Sequence, residues 1–114
     1  MKRLDTITLT ITQAKVLNIL RQRLIDEFSI TDLVLFGSVA RGEADEESDL
    51  DLLIVTPQPL TRLARHQITD VVFELNLRYG TNVSTLVVDQ NSWEEGPFSV
   101  LPIREEIRRE GIPL

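Results

Sequence analysis

The chain has 114 residues, 42% of them hydrophobic and 26% charged, which fits one globular domain (1–114) with a real core. A formal net charge of −6 argues against broad nucleic-acid binding, which needs a basic surface. There is no cysteine, no transmembrane-length apolar run and no apolar segment after Met1-Lys2-Arg3, so disulfides, thiolate metal sites, membrane spans and a signal peptide are excluded and a cytoplasmic location is expected.

The first element is a helix over residues 13–27, capped by Thr12. Val16, Leu17, Leu20, Leu24 and Phe28 fall on one stripe of it, facing a core. Leu33-Val34-Leu35-Phe36 is a short apolar run stopped by Gly37, the pattern of a buried strand. From Ser38 the residues favour a turn and then a short helix, relaxed at Gly42. The stretch 43–47 is mostly acidic and is read as a solvated loop. Residues 49–55 form a second strand, broken by Thr56-Pro57-Gln58-Pro59. A helix follows over residues 60–79, with Ala64, Ile68, Val71, Val72 and Leu75 on its apolar stripe and Gly80 as its stop. Residues 82–88 make a third strand. Asn91-Ser92 caps a short turn that ends at Gly96-Pro97, and Trp93 and Phe98 read as core or interface anchors. A last helix covers residues 100–110, with Pro102 in its first turn and Gly111 beyond its end. The order implies an α+β fold: a small mixed sheet covered by helices, mainly on one face.

Chemistry concentrates between Phe36 and Val55. A strand-turn-helix junction frees backbone N–H groups that suit phosphate. Gly37 permits close backbone approach, and the Ser38 hydroxyl can bond a phosphate oxygen. In the second strand the side chains alternate, so Asp49, Asp51, Leu53 and Val55 share one face. The two carboxylates make half a site for Mg2+ or Mn2+, which take one or two carboxylates plus substrate phosphates and water. Ser48 hydrogen-bonds locally at the strand start. Arg41 serves either a phosphate or an intramolecular ion pair. Arg62, Arg65 and His66 read as solvated surface. A P-loop is excluded because Gly-Lys-Ser/Thr is absent. A serine hydrolase is disfavoured because Ser38 lacks the Gly-x-Ser-x-Gly setting.

Gly37-Ser38-Val39-Ala40-Arg41-Gly42 followed by Ser48-Asp49-Leu50-Asp51-Leu52 resembles the signature of the polymerase-β-like nucleotidyltransferase superfamily. Within it, the chain is similar to the minimal nucleotidyltransferases, the antitoxins of HEPN/MNT toxin–antitoxin pairs. The resemblance implies a palm-like fold and metal-dependent binding of a nucleoside triphosphate, with ATP expected. It further implies transfer of a nucleotidyl group to a hydroxyl. Asp49 and Asp51 would be catalytic and metal-binding, and Gly37, Ser38, Arg41 and Ser48 would be nucleotide-binding. It also implies a HEPN-type helical partner carrying the acceptor, or a homo-oligomer completing the site. One departure stands out. Active members carry a third carboxylate on a later strand, and Ser84 stands where it is expected. Asp89 lies five residues further on, about 16 Å along the strand, too far to replace it. The alternative is therefore a catalytically degenerate module of the same fold that acts by binding a partner.

Overall fold

The computed structural model describes residues 7–42 and 49–114. The first helix, α1, spans Ile11–Glu27 and begins two residues earlier than expected. Its cap is Thr10 rather than Thr12. The Gln13 backbone N–H donates to the Thr10 hydroxyl at 3.0 Å, and the Thr10 N–H donates to Gln13 Oε1 at 2.9 Å. This reciprocal pair satisfies two amide donors that a helix start otherwise leaves orphaned.

Strand β1 (Asp32–Phe36) runs into the one-turn helix α2 (Gly37–Ala40). Strand β2 (Leu50–Thr56) and helix α3 (Arg62–Tyr79) follow. Helix α3 is capped by Thr61 and stopped by Gly80, whose φ of 67° is the left-handed conformation that glycine adopts without strain. Strand β3 (Val83–Asp89) leads into the short helix α4 (Gln90–Glu94), whose cap is Asp89 and not the expected Asn91-Ser92 pair. A 3-10 turn (Pro97–Val100) precedes helix α5 (Pro102–Glu110). A two-residue strand, β4 (Ile112–Pro113), was not expected.

The sheet order is β3-β2-β1-β4. Strands β2 and β3 are parallel, while β1 is antiparallel to both β2 and β4. The expected α+β fold with a mixed sheet is thus the fold observed. One face carries Leu33, Leu35, Leu50, Leu52, Ile54 and Val83 and packs on the buried stripes of α1 and α3. Val39 and Ala40 of α2 tuck into the same core. The other face carries Val34, Leu53, Val55 and Val88, covered by Ile107 of α5 and by Trp93, Phe98 and Ile103. Helices therefore cover both faces, the second with a smaller cluster. Burial on both sides explains why β2 is apolar at nearly every position rather than at alternate ones.

Two side chains of α3 reach the outer backbone of β3. Asn76 accepts from the Val83 N–H at 2.9 Å and donates to the Val83 carbonyl at 3.1 Å. Arg65 donates to the Val87 carbonyl at 3.2 Å, so it does more than solvate the surface. Among the described residues no helix is long and apolar enough to cross a membrane.

Candidate functional site

Among the described residues, the second sheet face is covered over only part of its length. The described helices lie over Leu53, Val55 and Val88. Toward the start of β2 the same face carries Asp51, and the row through it is set by strand register. Asp51 pairs with Phe36 on the β1 side and with Ser84 on the β3 side. Side chains directly opposite on neighbouring strands share a face, so Phe36, Asp51 and Ser84 line up across the sheet. Asp49 lies two residues before Asp51, just ahead of β2, and is exposed. Asp51 is half-buried and Ser84 is exposed.

Gly37 packs against this row. Its φ is 81°, and a Cβ there would collide with Asp51 Oδ2 and come within 3.2 Å of Asp51 Cγ. The glycine is needed twice over: for its left-handed backbone and for the space its missing side chain leaves to a carboxylate. The expectation was close approach to a ligand. The observed approach is to Asp51 itself, so the Gly-Ser turn and the carboxylate pair form one packed unit. Ser38 follows, half-buried, as the second residue of α2. Ser48 lies outside the described residues.

The electrostatics of Asp51 are strained in a definite direction. Burial pushes its carboxyl above the ordinary value, and the charge of Asp49 pushes the same way. The Arg41 guanidinium opposes both. Arg41 itself is held at 2.9 Å by Glu106 of α5, with Glu110 at 3.9 Å. Of the two roles left open for Arg41, the structure displays the ion pair. Sequence reasoning passed over its acidic partners. Their spacing of four residues, which puts both on one face of α5, was the available signal.

Asp89 does not join the site. It is in register with Thr56, at the far end of the parallel pair. Its carboxylate accepts from the Ser92 N–H at 3.0 Å and from the Ser92 hydroxyl at 2.7 Å. Those bonds hold its carboxyl below the ordinary value. Among the described residues, no three acidic, histidine or cysteine side chains gather where they could hold an ion. The donor set fits half a magnesium or manganese site. Asp51 rises from β2 and Asp49 lies just ahead of it, a glycine leaves room at Asp51, and the repulsion between the two carboxylates is of the kind a cation relieves.

The site is thus a glycine-serine turn set against Asp51 on a small mixed sheet. The chain belongs to the nucleotidyltransferase domain family, whose model matches residues 15–112. A candidate protein adenylyltransferase of Methanocaldococcus jannaschii is 44% identical to it over 62 residues, 53% of this chain and 42% of the relative. The chain spans about half the length of the curated relatives it matches. A solved structure described as a candidate minimal nucleotidyltransferase is 29% identical, with a TM-score of 0.57 over 99% of this chain and 97% of that one. The fold is also that of a complex described as a tri-AMPylated Shewanella oneidensis HEPN toxin with its MNT antitoxin. That structure has a TM-score of 0.52 and 16% identity, over 90% of this chain and 71% of that one.

Proposed function

We propose that the chain is a cytoplasmic, metal-dependent nucleotidyltransferase that binds a nucleoside triphosphate, ATP as the donor, and moves its nucleotidyl group to a hydroxyl. The observation that carries this reading is the contact between Gly37 and the Asp51 carboxylate. It draws the turn suited to phosphate and the acids suited to a cation to one point on the second sheet face. Gly37 and Ser38 hold the β- and γ-phosphates through backbone N–H groups and the serine hydroxyl. Asp49 and Asp51 hold Mg2+ or Mn2+, which when bound supplies positive charge against the charge gathering on the phosphates. Arg41 adds a cation beside Asp51, and Ser48 belongs to the nucleotide contacts by its place in the motif. The rest of the chain's contribution is positional: a rigid strand and a fixed turn hold the donor in one orientation.

For the acceptor we propose a hydroxyl on a HEPN-type helical partner. The toxin–antitoxin complex of the same fold supports this, because its toxin is described as AMPylated. A second reading, the degenerate module that acts by binding a partner, is favoured by Ser84. A serine beside Asp51 supplies neither a base nor a strong ligand for a second metal.

Calorimetry with magnesium and ATP tests the first reading. The wild-type chain should bind the pair, and Asp49→Asn with Asp51→Asn should weaken binding at least about tenfold, or 1.4 kcal/mol. Equal affinity in the double variant would remove the acids from the site. Transfer of label from ATP to a co-purified helical partner then separates enzyme from module.

A further inference from the structure

We propose that Ser84 is a self-acceptor: its hydroxyl takes a nucleotidyl group from a triphosphate held at Asp49 and Asp51, so that the chain modifies its own sheet. This rests on the nucleotidyl-transfer reading above.

The placement is set by register rather than by a flexible loop. Ser84 is the direct β3 neighbour of Asp51, on the same face. Adjacent strands lie about 4.8 Å apart, so side chains in such a row are within touching range. Strand β3 is at the border of the sheet, and Ser84 is exposed there. No hydrogen bond engages its hydroxyl among the described residues. Thr81, just before β3, is by contrast committed: it donates to Asn76. Thr85, next along β3, points to the opposite face by strand parity. Ser38 lies on the other side of Asp51, next to Gly37, where the phosphates that leave are held. Among the described residues, Ser84 thus presents a hydroxyl beside Asp51 on the side away from Gly37 and Ser38.

Effective concentration favours it over solvent. A nucleophile held on a rigid strand beside the bound donor has its translational freedom already removed. The step balances without a further reactant. Ser84 Oγ forms a bond to the α-phosphorus. The bond from that phosphorus to the bridging oxygen of the β-phosphate breaks, and its electron pair leaves with pyrophosphate. The hydroxyl proton passes to water. The product is a phosphodiester on Ser84, one per chain.

The test is intact-mass spectrometry of the full chain incubated with magnesium and ATP, followed by peptide mapping and run beside calorimetry. We expect the mass of one nucleotidyl group, located at Ser84, appearing at a rate independent of protein concentration. Ser84→Ala should abolish the label and still bind magnesium and ATP. Ser84→Thr, which keeps a hydroxyl, should restore the label. Asp49→Asn with Asp51→Asn should abolish it. Binding of magnesium and ATP without any label overturns the self-acceptor and leaves the nucleotidyltransferase reading standing. So does label on Ser38, or labelling whose rate grows with protein concentration. Absence of magnesium–ATP binding in the wild-type chain overturns both.

Discussion

Gly37 and Asp51 are coupled through space, and each can be tested alone and together. Gly37→Ala places a side chain at a φ of 81°, against the Asp51 carboxylate. The backbone conformation alone costs about 1–2 kcal/mol for a residue with a Cβ. The collision adds to that. Thermal unfolding of Gly37→Ala, Asp51→Ala and the double variant should show the collision part recovered in the double and the backbone part retained. Purely additive losses would mean the two residues do not touch. Asp51 also makes stability depend on pH. Its carboxyl titrates above the ordinary 3.8 in the folded chain, so between that value and its raised folded one the folded state binds the extra proton. Stability therefore falls as pH rises through that window, and at neutral pH the ionised carboxylate is a standing cost. Asp51→Asn should melt higher than wild type at neutral pH, with the advantage vanishing below the ordinary carboxylate range. A lower melting temperature at neutral pH would contradict this. At this scale the spacing was legible: Asp49 and Asp51 are two residues apart at the start of β2, close enough for the charge of Asp49 to act on Asp51. That Gly37 opposes Asp51 was not legible, since the contact depends on how β1 and β2 pair.

At the scale of elements, the long helices were readable because their apolar residues recur at helical spacing, and the buried stripes are the expected ones. Their ends were harder. Both Thr10 and Thr12 offer a capping hydroxyl, but only Thr10 has a residue three positions on, Gln13, that can accept in return. Thr12 would face Lys15, which has no acceptor. The pair gives a direct test by urea denaturation. Thr10→Ala should lower stability by about 1 kcal/mol with an unchanged denaturant slope. Thr12→Ala, exposed on the first turn, should stay within about 0.5 kcal/mol of wild type. The reverse ranking would restore Thr12 as the cap. Strand β4 was invisible for a different reason. Two residues carry no periodicity, and Ile112 becomes a strand residue only because Leu35 lies opposite it.

Across the whole molecule, two cores of unequal size hold one sheet, and the part of the smaller face beyond the described helices is where the acids emerge. A strand at the border of a sheet exposes backbone groups that invite a further strand from another molecule. The bonds from α3 to β3 bear on that hazard. Asn76 occupies both outward groups of Val83, and Arg65 occupies the outward carbonyl of Val87. By strand parity the two groups of Thr85 and the Val87 N–H are what the described side chains leave between them, too short a gap to template pairing. At the other border β4 has just two residues, one of them Pro113. The chain is thus guarded against edge-to-edge aggregation by a helix lying along one border and by brevity at the other. Arg65→Ala combined with Asn76→Ala should raise light scattering and fibril-dye binding during prolonged incubation below the melting temperature. Each single change should do less. If the double variant remains as clear as wild type, the border of β3 is guarded by something other than α3.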